Sequence, residues 1–293
     1  MHHQTCPHCQ LRQPLTQTSC VRCGMPLPLG WAHHEAWQPP LEAERVDRPG
    51  YQSILGGAGL AAAVVFLPFF GFISFLLHPL VTLVHELGHT LAGWLYGYPS
   101  IPAFDFVYGG GVTLHQDRQW LLTGLWLAAF AWLLYCFRRN PGTLLVISSL
   151  AGAYITTAAT SWHEAIVIAM GHGGELLFAT VFLYRAWSGT SLVHALERPI
   201  YAFAGFYIQF HDLRFAFELL TSQAARLDYE DAKGGGHWMD FSRLADEFFG
   251  GRFLLVVLAF FVTCLLPPLI AWLLHHYRPH WQQWLVNRLA VET

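Results

Sequence analysis

From Ile54 onward the chain alternates between long apolar runs and short interruptions of proline, glycine or charge, whereas the first fifty residues are polar and proline-rich. Ile54–Leu77 carries no charge and is long enough to cross a bilayer. Pro79 punctuates it, and Leu80–Tyr98 forms a second span. Pro99–Gln116 breaks the rhythm: two β-prone runs, Ile101–Tyr108 and Val112–His115, flank Gly109-Gly110-Gly111 and read as a hairpin. Trp120–Phe137 is a third span, closed by Arg138-Arg139-Asn140-Pro141. Thr143–Trp162, rich in small residues that suit close helix packing, is a fourth. Ala165–Tyr184 is a fifth, interrupted by Gly171-His172-Gly173-Gly174-Glu175. Pro199–Leu220 is loaded with His211, Asp212, Arg214 and Glu218 in its second half, as in a short span running out into the interface. Thr221–Gly250, polar and glycine-rich around Gly234–Gly236, reads as a water-facing loop. Phe253–His275, with Pro267-Pro268 near its end, is the last span. The pattern predicts an all-α polytopic membrane protein of about six to seven transmembrane helices, with a small β-hairpin after the second.

Composition agrees. Of 293 residues, 54% are hydrophobic and only 12% charged, about half the charge of a soluble domain, and the mean hydropathy is +0.36. Aromatic residues make up 15%, which suits belts at the membrane interfaces. A net charge of −3 gives no reason to expect nucleic-acid binding, and the polar N-terminus has no apolar signal-peptide core. Arg45 and Arg48 favour a cytoplasmic N-terminus, whereas simple alternation of the spans puts Arg138 and Arg139 outside, against the same rule.

The N-terminal segment has its own chemistry. Cys6-Pro7-His8-Cys9 and Cys20-Val21-Arg22-Cys23 are two CxxC pairs ten residues apart, the spacing of a tetrathiolate zinc ribbon over residues 1–24. Such a module has almost no core, so metal binding supplies most of its folding energy. Four thiolates imply a reducing compartment, which again points to the cytoplasm. Residues 25–50 read as a proline-rich linker, leaving 51–293 as the membrane domain with its polar loop at 221–250. Cys136 and Cys264, alone in apolar runs, read as small buried hydrophobes.

Inside the second span stands His85-Glu86-Leu87-Gly88-His89. HExxH sets two imidazoles one helical turn apart on one face, where both can hold Zn²⁺, and sets the Glu beside the metal as a general base. Ionisable groups in an otherwise uncharged span are costly to bury, so they mark function. Catalytic zinc takes three protein ligands and leaves one position open. The third is expected from the glycine-broken segment: His172 as ligand, with Glu175 as the alternative or as a partner behind the ligands. His163-Glu164 and the His211–Arg214 cluster read as interfacial polar patches.

With HELGH in the second span, Trp94 and Gly97 just after it, and Tyr108-Gly109-Gly110-Gly111-Val112-Thr113 downstream, residues 54–190 resemble the site-2 protease group of intramembrane metalloproteases, its M50B-like branch. That resemblance implies two His ligands, Glu86 as base acting on zinc-bound water, and cleavage of membrane-embedded substrate helices. The group's usual third ligand is an Asp in an Asn-Pro-Asp-Gly or Leu-Asp-Gly motif, and neither occurs in this chain. The expectation is therefore a zinc metallopeptidase of the bacterial inner membrane with its ribbon in the cytoplasm. It would hold one catalytic and one structural zinc, and take a membrane-embedded or membrane-associated protein as substrate. A non-proteolytic metal-binding scaffold or sensor, whose ribbon recruits partners, is the alternative. Divalent-metal transport is disfavoured because no repeated or inverted set of sites is visible.

Overall fold

The structure is a computed structural model that describes residues 3–6, 8–14, 19–25, 46–105, 110–190, 192–232 and 239–289. Most of the linker, the hairpin residues Tyr108 and Gly109, and the Gly234–Gly236 run lie outside these. The chain divides into two units, Met1–Ala43 and Glu44–Thr293.

In the first unit, β1 (His3–Thr5) pairs antiparallel with β2 (Arg12–Pro14), in the register His3 with Pro14 and Thr5 with Arg12. Its buried centre consists of Cys6 and Cys20, with Cys9 and Leu11 packed against them.

The second unit is helical: α1 (Arg48–Phe66), α2 (Gly71–Leu95), α3 (Trp120–Cys136), α4 (Pro141–Ala158), α5 (Trp162–Ser188) and α6 (Glu197–Thr221). They are followed by α7 (Gln223–Asp231), α8 (Asp240–Phe248), α9 (Phe253–Thr263), α10 (Leu266–His276) and α11 (Arg278–Leu289). Between α2 and α3 lies the expected hairpin, β3 (Ser100–Phe104) antiparallel to β4 (Gly111–His115). Among the described residues five stretches are long and apolar enough to cross a membrane: Arg48–Phe66, Pro68–Leu95, Pro141–Ala158, Trp162–Ser188 and Phe253–His276. Trp120–Cys136 is apolar but shorter. α6 is not in this set, and its Arg198 and Asp212 are buried.

Several boundaries differ from the hydrophobic pattern. The first break falls at Pro68, not Pro79: Leu67 is extended, as a residue before proline prefers, and ends α1. Pro79 lies inside α2, which runs through it. The glycines at 171–174 do not interrupt α5, which is continuous for 27 residues. Glycine costs a helix about 1 kcal/mol in isolation, but here it lets two backbones touch. A Cβ on Gly174 would fall 2.7 Å from the Gly88 Cα, and one on Gly88 would overlap the Met170 carbonyl oxygen. This small-residue crossing sets HELGH directly against α5. The 221–250 segment holds two helices rather than an irregular loop. Phe241, Leu244 and Ala245 of α8 are buried beside α9 and the Tyr229 ring. The last span breaks near Cys264–Leu265 into α9 and α10, ahead of Pro267.

Arg198 ties helix ends together. Its guanidinium donates to the carbonyls of Ala186 and Trp187 at the end of α5, at 2.7 and 2.8 Å, and pairs with Asp47 at 2.7 Å. Asp47 in turn caps α1 by accepting from the Gly50 N–H.

Candidate metal centres

In the N-terminal unit the four sulfurs of Cys6, Cys9, Cys20 and Cys23 lie within 4.8 Å of one another, and none is in a disulfide. Cys6 Sγ is 3.6 Å from Cys23 Sγ, and Cys9 Sγ is 3.4 Å from Cys20 Sγ. A Zn–S bond of 2.3 Å gives tetrahedron edges of about 3.8 Å, so these spacings suit a metal and are far too long for S–S bonds. The two CxxC turns are built alike. Gln10 N–H donates to the Cys6 carbonyl and Gly24 N–H to that of Cys20, while Cys6 N–H and Cys20 N–H reach Leu11 and Met25. Gln10 and Gly24, each following the second Cys of its pair, have positive φ of 57° and 71°. Burial pushes the Cys20 thiol up, but the N–H groups of Cys23 and Arg22 and the neighbouring sulfurs bring it down to about 6. The Met25 N–H favours a Cys23 thiolate, yet burial and the other three sulfurs drive that thiol up to about 12. Four thiolates at this spacing therefore need a cation among them. The cluster can bind a metal.

The second centre is assembled from α2, α5, β4 and α8. His89 donates from Nδ1 to the Val167 carbonyl at 2.8 Å. A carbonyl only accepts, so Nδ1 carries the proton and Nε2 presents its lone pair. His85 Nδ1 faces Glu175 Oε1 at 3.2 Å, which likewise turns its Nε2 outward. The two Nε2 atoms are 3.1 Å apart, and Asp240 Oδ2 is 3.0 Å from each. That buried oxygen has no hydrogen-bond donor among the described residues. Three acceptor atoms thus converge on one point. Ligands about 2.0–2.1 Å from a tetrahedral Zn²⁺ would be about 3.3 Å apart, close to what is seen.

Glu86 is buried beside this point. Its Oε2 accepts from Thr113 Oγ1 at 2.6 Å, and its backbone carbonyl accepts from Thr90 at 2.7 Å. Gly111 and Thr113 occupy alternate positions of β4 and meet the same carboxylate. A Cβ on Gly111 would come within 2.5 Å of Glu86 Cγ and Oε1. Gly171 has the same role on α5, where a Cβ would meet the His85 and His89 imidazoles. His85, Glu86, His89, Thr113 and Asp240 line a cavity of about 350 Å³, whose apolar wall includes Ile168, Phe215, Tyr229 and Met239.

His85, Glu86 and His89 share one face of α2. His172 lines the same cavity and Glu175 is buried next to it: His172 Nδ1 is 2.6 Å from Glu175 Oε2, and together with His85 they form a second close group that shares His85 with the first. Among the described residues, His85 and His89 share a close group with Asp240, and only His85 shares one with His172 and Glu175. His163 is occupied by Tyr98 Oη at 2.8 Å and the Thr160 carbonyl. Sequence reasoning missed Asp240, because the surrounding polarity and glycines masked α8. The signal was there: Phe241, Leu244, Ala245 and Phe248 fall at i, i+3, i+4 and i+7, an apolar helical stripe beginning just after the acid.

Comparison with protein-family models, curated proteins and solved structures finds no match to this chain.

Proposed function

We propose that the protein is an intramembrane zinc metalloprotease of the site-2 protease type, with His85, His89 and Asp240 as the ligands of the catalytic metal and Glu86 as general base. The observation that carries this reading is the convergence of the His85 and His89 Nε2 atoms and Asp240 Oδ2, 3.0–3.1 Å apart, next to a buried glutamate in the wall of a cavity. Held there, Zn²⁺ supplies Lewis acidity, polarising a carbonyl and acidifying a water. Glu86 accepts a proton from the attacking water as its oxygen bonds to the scissile carbonyl carbon. It then delivers that proton to the amide nitrogen as the C–N bond breaks, leaving a carboxylic acid and an amine, between which the second water proton passes to give the carboxylate and the ammonium. Thr113 holds the Glu86 carboxylate in line for both transfers. A membrane-embedded peptide is the substrate class that suits a site on an apolar helix, and the N-terminal cluster is a structural zinc ribbon on the cytoplasmic side.

The test is full-length protein reconstituted in liposomes with a reporter helix. Wild type should cleave it, and Glu86→Gln should lose about 10²–10⁴-fold in rate with bound metal unchanged. Cleavage by Glu86→Gln at the wild-type rate would contradict the reading.

A further inference from the structure

His172 and Glu175 contain donor atoms enough for a metal, yet their hydrogen bonds assign them elsewhere. Each oxygen of the Glu175 carboxylate faces one imidazole Nδ1: Oε1 faces His85 at 3.2 Å, and Oε2 faces His172 at 2.6 Å. A neutral imidazole has one nitrogen with a lone pair and one with a proton. If His85 gives its Nδ1 proton to Glu175, its lone pair is on Nε2, the atom 3.0 Å from Asp240. A metal lodged between His85, His172 and Glu175 would need the opposite tautomer and would forfeit the convergence with His89.

The orientation of His172 is fixed independently by aromatic rings. It stacks on Phe241 with centroids 4.4 Å apart and planes 14° off parallel, and Phe260 lies 4.7 Å away. Phe241 is the residue after Asp240. The short helix α8 therefore touches the centre twice: Asp240 reaches the Nε2 atoms, and Phe241 braces the histidine that holds Glu175.

We propose that Glu175 and His172 are positioning residues of the bundle's metal centre and not its ligands, with Glu175 fixing the His85 tautomer and ring plane and His172, braced by Phe241, fixing Glu175. This rests on reading His85, His89 and Asp240 as the metal site. A carboxylate behind a ligating histidine typically changes metal affinity by 10–100-fold when removed.

The experiment is Co²⁺ titration of the metal-stripped, full-length protein in detergent. The thiolate charge-transfer band reports the N-terminal cluster, and the thiolate-free d–d bands report the bundle site. Glu175→Ala should weaken the bundle site about 10–100-fold and leave the thiolate band unchanged. Glu175→Gln still offers an oxygen to the His85 Nδ1 proton, so it should stay near wild type in affinity with shifted d–d bands. His172→Phe keeps the ring stack but loses the N–H, and should fall between the two. These two near-isosteric variants keep the test decisive if Glu175→Ala does not fold. Wild-type affinity and bands in both of them would overturn the proposal. So would loss of metal in either as complete as in His85→Ala, which would make that residue a ligand. Loss of metal in Asp240→Ala with no change at 175 or 172 would refute the clamp alone. A wild-type bundle that takes up no metal would refute both the clamp and the site it serves.

Discussion

The two candidate metal centres are opposites in construction. The tetrathiolate cluster draws its ligands from two short turns, and among the described residues of its unit only Cys6, Cys20 and Gln13 are buried. The bundle centre draws on α2 and α8, with α5 and β4 buttressing it, and its geometry is inherited from packed helices. A local site must be folded by its metal, since a chain this short cannot bury enough surface to order itself. A distributed site is positioned before any metal arrives, because the Gly88–Gly174 crossing and the α8–α9 packing already hold the donors close.

The largest expected effect separates the two on this ground. Chelation should unfold the N-terminal unit, whose metal is worth about 10–16 kcal/mol in comparable thiolate modules, while the helicity and melting of the bundle change little. Circular dichroism and proteolysis of the full chain with and without chelator measure both at once. Simultaneous melting of the bundle would erase the contrast.

Next in size is Asp240→Ala, expected to weaken the bundle metal by roughly 100-fold or more, above the range for partners behind the ligands. The four-cysteine metal should remain, as should the helical signal, because Asp240 stands at the start of α8 and the buried Phe241 and Leu244 anchor that helix. Equilibrium dialysis against buffered zinc, counting metal per chain, reads it directly.

Thr113→Val is the smallest. It removes the hydroxyl that donates to the Glu86 carboxylate, a charge-assisted bond worth about 1.5–3 kcal/mol. Turnover of the reconstituted reporter should drop by at least about tenfold with metal content unchanged, and Thr113→Ser should restore it. A fall in metal content instead would mean that β4 supports the ligands rather than the base.

The same contrast governs what could be read from the sequence. Cys6, Cys9, Cys20 and Cys23 are legible because their spacing is the site. His85, Glu86 and His89 are legible because one helical turn brings them together. Asp240 is not, since only tertiary packing brings α8 to α2, and its own helix was hidden behind the 221–250 polarity. Gly171 and Gly174 were misread for a related reason. Their intrinsic cost in a helix suggests a break, but a partner helix pressed against them reverses the sign. The hairpin was anticipated in place and kind. What no pattern could supply was that its strand β4 seats Gly111 and Thr113 on Glu86.

The central claim is the identity of the atoms that surround the bundle metal. Zinc X-ray absorption on full-length protein loaded only at that centre, with the four N-terminal cysteines replaced by serine, tests it most directly. The expected result is two imidazole nitrogens and a carboxylate oxygen at about 2.0–2.2 Å, with the oxygen lost in Asp240→Ala and the nitrogens kept in His172→Phe. A spectrum unchanged by Asp240→Ala, or one that loses an imidazole in His172→Phe, would contradict it.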